Sequence, residues 1–217
     1  DRKSLFWSKF PEYETESIRL SLNASLSNGF IRSLEARITP SNSPKELLDW
    51  IRQNDSSYGF AITGASPRSI PYDDMVDSPV FYVLHFIKHR GEISSLSSQA
   101  QQRFSGSAYA RNSVVRRTVE HQARVIAQAL SKNPYLRKRI RGIDACSNEI
   151  GCRPETFATE FRFLRSHIPC TPPPLSEGTD SSVHLSATYH AGEDFIDIVD
   201  GLRAIDEAEL FLELRRG

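Results

Sequence analysis

Val183-His-Leu-Ser-Ala-Thr-Tyr189 runs directly into His190-Ala-Gly-Glu193, and the junction between them decides how the chain is read. The first stretch reads as a strand. Polar residues gathered at the C-terminal end of a parallel strand stand where α/β folds place their active sites. A histidine there presents a neutral ring nitrogen to a metal. Ala191 and Gly192 are small and let the backbone turn sharply, which returns Glu193 to the same rim. A carboxyl group sheltered there beside a substrate is raised in pKa and serves as a general acid. From local spacing alone a plainer account is simpler: His190 as a capped strand-end histidine and Glu193 as an exposed carboxylate at a helix start.

Working upstream, Gly142-Ile-Asp-Ala-Cys-Ser-Asn-Glu149 is a second strand end. Asp144, Asn148 and Glu149 cluster on one turn, whose backbone N–H groups suit a ring nitrogen or an anion; Asp/Asn turn chemistry alone also explains them. Val80-Phe-Tyr-Val-Leu-His-Phe-Ile87 is apolar on both faces, as buried parallel strands are, and Lys88-His-Arg90 marks its polar end. Gly29 to Pro40 alternates, with a mainly apolar set at Phe30, Arg32, Leu34, Ala36 and Ile38, and reads as a strand stopped by Pro40. Within it Leu34-Glu35-Ala36-Arg37 suggests inward-facing ions in a barrel or, equally, one solvated face of an edge strand.

Helices fall between these strands. Ser43 and Pro44 open one that runs to Arg52. Val114, Val115, Val119, Ala123, Ile126, Ala127 and Leu130 repeat at helical spacing over Ser113 to Lys132. Phe157, Phe161 and Leu164 mark another over Pro154 to Ser166, and Asp197 to Leu214 is a fourth helical run. Arg19 to Asn28 is ambiguous. Ser94 to Ser107 and the proline-rich Pro169 to Asp180 read as loops. Strands alternating with helices predict a parallel α/β sheet, either part of a (β/α)8 barrel or most of a small doubly wound sheet.

The remaining histidines and basic residues carry less. His85 and His89 lie across a strand end, roughly 13 Å apart by strand geometry, too far to share a metal. His121 reads as a surface residue on the long helix. Arg137-Lys-Arg-Ile-Arg141 suits phosphates but is better explained as a solvated helix end. The 217 residues hold 27 Lys+Arg against 27 Asp+Glu, so no global charge draws the chain to nucleic acid or anionic membranes. No apolar run approaches the roughly 20 residues of a membrane helix. The 3 cysteines lack a zinc-knuckle spacing, which predicts a reduced, cytoplasmic setting. The abrupt ends predict a piece of a longer protein, with residues 1–28 as an insertion or preceding segment.

Taken together, these segments resemble the adenosine/AMP deaminase family of metal-dependent (β/α)8 barrels. Thr188-Tyr-His-Ala-Gly-Glu193 is similar to its fifth-strand motif, and Gly142 to Glu149 to its fourth-strand motif, usually Asp-Leu-Ala-Gly-Asp-Glu. Phe30 to Pro40 looks like the second strand and Val80 to Ile87 like the third, so the resemblance covers about strands 2–5 of an incomplete TIM-type barrel with inserted loops. His190-Ala-Gly-Glu-Asp-Phe195, continuing to Gly201-Leu-Arg-Ala-Ile-Asp-Glu-Ala208, looks most like the deaminase-like subunit of bacterial RADAR antiphage systems.

The resemblance implies zinc-dependent hydrolytic deamination of adenosine or adenine nucleotides such as ATP. It also implies a homo-oligomer and an ATPase partner subunit, with RNA a less favoured substrate and no membrane. It makes His190 a zinc ligand and Glu193 the acid that protonates the purine ring. It makes Asp144, Ser147 and Gly192 substrate-binding, with a backbone N–H of the fourth-strand turn facing the purine. Zinc would lower the pKa of the attacking water. The sequence departs from the family at Ser147, usually glycine, and Asn148, usually aspartate. It contains no His-x-His, and the family's later histidine and aspartate pair are absent. One ligand is not a zinc site, so the alternatives are ligands outside this sequence, a degenerate barrel serving as an oligomeric scaffold, or another amidohydrolase of the same superfamily.

Overall fold

The computed structural model describes residues 9–10, 12–26, 30–31, 33–63, 79–88, 112–167, 169–170 and 183–214. His89, the Ser94 to Ser107 loop, most of the proline-rich loop and residues 1–8 lie outside the described residues. The chain divides into two compact units, Asp1–Ala36 with Lys45–Phe81, and Arg37–Pro44 with Tyr82–Gly217.

In the first unit, helix α1 covers Glu12–Leu26, settling the ambiguous stretch from Arg19 as far as Leu26. Arg19 bonds Glu16 one turn earlier, a pairing that supports the turn locally. Helix α2, Pro44–Thr63, starts at the expected proline but runs well past Arg52. Leu47 and Ile51 are both fully buried, one turn apart on the same stripe. The stripe continues into buried Asn54 and Asp55, polar residues that masked the helix in the sequence; the Asn54 amide donates to Trp50 O at 2.8 Å.

A sheet lies mostly in the second unit. Strands β1 (Leu34–Ile38), β2 (Val80–Lys88), β3 (Ile140–Ser147) and β6 (Ser186–Ala187) form one four-stranded sheet in that order. The spatial order is the chain order, without the reversal that defines a doubly wound sheet. Strands β2 and β3 pair in parallel, with His85 opposite Asp144 and Lys88 opposite Ser147. Strands β3 and β6 also pair in parallel. Helix α3, Ser113–Lys132, lays Val115, Val119, Ala123, Ile126 and Leu130 into the core. Asn133 ends it and opens α4, Pro134–Arg139, by accepting from Tyr135 N and Leu136 N.

Two sequence expectations need correcting here. The basic run at Arg137 to Arg141 is not a solvated end throughout: Arg139 is only 2% exposed and its guanidinium lies 5.5 Å from the Tyr82 ring centroid. Its stem and charge stabilise more by stacking than they would in water. The single strand expected at Val183 to Thr188 is two pieces. β5 (Val183–His184) pairs antiparallel with β4 (Pro169–Cys170), whereas β6 joins the main sheet. Leu185 between them is buried, so the chain changes partners while keeping an apolar pivot inside. Beyond β6 the ladder continues, with Thr188 N donating to Ile143 O and His190 N to Ala145 O. Gly142 permits this approach, because a Cβ there would meet Ser186 O at 3.0 Å.

Downstream of β3, a 3-10 turn at Pro154–Thr156 precedes α5, Ala158–His167. Helix α6, Ile198–Leu212, is capped by Asp197, whose side chain accepts from Asp200 N at 2.8 Å. Among the described residues no helix is long and apolar enough to cross a membrane.

Candidate functional site

The C-terminal ends of β1, β2, β3 and β6 bring three side chains to one carboxylate, that of Asp144. Asp144 is fully buried, and its Oδ2 accepts from Arg37 Nη1 at 2.6 Å and from His85 Nδ1 at 2.8 Å. The His190 Nε2 lies 3.3 Å from the same oxygen. Parallel register explains the first contacts: Asp144 and His85 are direct partners across β2 and β3, so their side chains share a face. Burial alone would raise the Asp144 pKa. The His85 hydrogen bond and the charges of Arg37, His85 and His190 outweigh that and hold the carboxyl below its ordinary range.

The His190 ring reads out its own tautomer. Arg37 Nη1 donates to His190 Nε2 at 3.0 Å, and a guanidinium has no acceptor. In the neutral ring the proton therefore sits on Nδ1, where Glu193 Oε2 accepts it at 3.1 Å. This leaves the Nε2 lone pair facing the cationic position beside Asp144. A carboxylate holding the far nitrogen of an imidazole in this way is how metal-binding histidines are oriented.

A cavity of about 380 Å³ opens beside this cluster, lined by Arg37, Asp144, Thr188, Tyr189, His190, Ala191 and Glu193. It falls within the range of small-molecule pockets. Of the residues singled out from sequence, Asp144, His190 and Glu193 line it, whereas Ser147 and Gly192 are not among the lining residues. Glu193 has a side chain 71% exposed, so the shelter expected for a general acid is not supplied by the protein in this state. Gly192 has φ +79°, and a Cβ there would also crowd Ile205 at 3.2 Å. The sharp turn expected of Ala191-Gly192 is thus present and depends on glycine. Ser147 has φ 78°, in the left-handed region that favours glycine.

Sequence reasoning missed two residues here. His85 was discounted with His89, yet it stands beside Asp144. Its signal was a lone imidazole in an otherwise apolar strand, but register alone could pair it. Lys88 was placed at a polar strand end and is instead 1% exposed.

The donor set fits a divalent cation in number and kind. The ligand atoms of His85, Asp144 and His190 all lie within 4.8 Å of one another, two imidazoles and a carboxylate, a combination that suits zinc among other transition metals. The second carboxylate oxygen, Asp144 Oδ1, is buried with no hydrogen-bond partner. The Arg37 guanidinium occupies the cationic position between Asp144 and His190, and would have to withdraw for a metal to reach both. No family model matches the chain, and no curated protein sequence matches it.

Proposed function

We propose that this chain is part of a (β/α)8 barrel that hydrolytically deaminates adenosine or adenine nucleotides to the inosine form, in a bacterial antiphage setting. The observation that carries the reading is the pairing of His190 and Glu193 across a 3.1 Å hydrogen bond on the wall of one cavity. The sequence-ordered parallel sheet supports it, because consecutive parallel neighbours are what an arc of a barrel contains. His190 would hold a divalent cation through Nε2, with His85 and Asp144 as the other donors present in this chain. The cation would supply a water made acidic enough to react near neutral pH. Glu193 orients the His190 ring through Nδ1 and, exposed beside the cavity, is placed to protonate a ring nitrogen of a bound purine. A purine lying over Glu193 would itself exclude water from the carboxyl.

Glu193→Gln tests this directly. It retains the metal content of the wild type while turnover of adenosine or ATP falls about 10²–10⁴-fold; a variant that deaminates at the wild-type rate removes Glu193 from the mechanism. One observation favours a second reading, a metal-free barrel kept as a scaffold: Arg37 neutralises Asp144 without any metal. Elemental analysis of the full-length protein separates the two, since the scaffold contains no stoichiometric metal.

A further inference from the structure

We propose that Lys88 and Glu149 form a buried clamp that holds the His190–Glu193 loop from both sides by its backbone, and are positioning residues for His190 and Glu193. The Lys88 ammonium donates to His190 O at 2.5 Å. The Glu149 carboxylate accepts from Gly192 N at 2.7 Å and from Glu193 N at 3.3 Å. The two clamp residues lie 3.5 Å apart, with side chains 0% and 6% exposed. Lys88 also sits 4.2 Å from the centroid of the Tyr189 ring, so it touches the residue before the loop as well. A further bond, Glu149 N to Asp194 Oδ2 at 3.4 Å, ties the far end of the loop to the same residue.

The arrangement accounts for burying two charges where an apolar pair would pack as well. A carbonyl and two successive N–H groups project from this loop, and among the described residues no strand or helix backbone satisfies them. An ammonium matches the carbonyl; a carboxylate matches the two amides. Each charge answers one polarity of the loop, and each neutralises the other. His190 and Glu193 meet through side chains only, so their geometry is set by where the clamp holds the backbone between them.

The consequence for turnover rests on the deaminase reading; the clamp itself does not. Both are measured on the full chain. Amide hydrogen exchange at Gly192 and Glu193 is compared with that of Val119 to Leu130 in helix α3, which reports whether the fold is intact. In Lys88→Met/Glu149→Gln, which removes both buried charges together, exchange at Gly192 and Glu193 rises at least about tenfold while α3 is unchanged. Glu149→Asp keeps the charge and draws the carboxylate back, and produces the same local rise even if the double variant folds poorly. Unchanged exchange at Gly192 and Glu193 in Glu149→Asp overturns the clamp. In the same variants kcat for adenosine falls about 10–100-fold with KM within about twofold, and Lys88→Arg restores part of it. Wild-type protein without deaminase turnover defeats the deaminase reading and leaves the exchange result to decide the clamp. Faster exchange with unaltered kcat overturns the positioning role.

Discussion

Two carboxylates at the same end of one sheet are used in opposite ways. Asp144 gathers side chains and faces a cavity: Arg37 beside it is 40% exposed and His190 34% exposed. Glu149 gathers backbone and is sealed: its cation, Lys88, has no exposed side-chain surface. The open cluster keeps charge where a ligand can reach it. The closed one keeps charge where only the protein can use it. On the deaminase reading, the reactive groups have access and the positioning groups rigidity, each in separate residues.

Unfolding free energies break or sharpen that contrast most directly. Glu149→Ala strands the Lys88 charge in a sealed site and lowers stability by about 3–5 kcal/mol. Asp144→Asn leaves an arginine already part-way into solvent, and the loss is about 1–2 kcal/mol. Urea unfolding of the two variants under identical conditions gives the ranking. Equal costs would mean that the Asp144 cluster is as closed as the Glu149 one.

How much of this was legible beforehand follows the same division. Helix α3 was readable because its buried valines and alanines keep helical spacing. The His190-Ala-Gly-Glu193 corner was readable because a positive-φ glycine at a strand end leaves a local signature. Leu34 to Arg37 was balanced between inward ions and a solvated edge: Glu35 and Arg37 are both exposed, yet Arg37 reaches Asp144. His85 and Lys88 depended on the parallel register of β2 against β3, a tertiary fact that no local pattern encodes. Glu149 was recognised as part of a polar turn, but the use of its carboxylate, which receives N–H groups from the next loop, was not. The split of β5 from β6 was hidden because Val183 to Tyr189 carries one continuous strand-like composition while its pairing partners change.

Acid and alkali probe the two centres separately. Asp144 is held below its ordinary range, so its contribution is fully present above the unfolded carboxyl value, about 3.9, and is lost as pH falls through the lower folded value. The stability gap between wild type and Asp144→Asn therefore narrows on acidification below about pH 4. Burial pulls Lys88 below the ordinary lysine range, against the opposing attraction of Glu149. Between that lowered value and about 10.4 the unfolded chain binds more protons than the folded one, so stability rises with pH. Wild type gains on Lys88→Met across this alkaline window. Urea midpoints measured in the presence of a chelator at both extremes check the pair of signs; a gap that widens in acid would show that Asp144 is not stabilised in its charged form.

The smallest expected effect lies between the two centres. Strand β3 ends at Ser147, and its φ of 78° turns the chain from Asp144, facing the cavity, toward Glu149, facing the loop. A serine held in the left-handed region is strained relative to glycine by about 1 kcal/mol. Glycine gives part of that back through its greater freedom in the unfolded chain. Ser147→Gly should therefore stabilise by about 0.5 kcal/mol, read as a higher urea midpoint with an unchanged m-value. Ser147 is exposed, so no buried packing is lost to obscure the gain. A destabilised Ser147→Gly variant would mean that the serine side chain fixes this turn, and that the two centres are joined by a specific contact and not by backbone conformation alone.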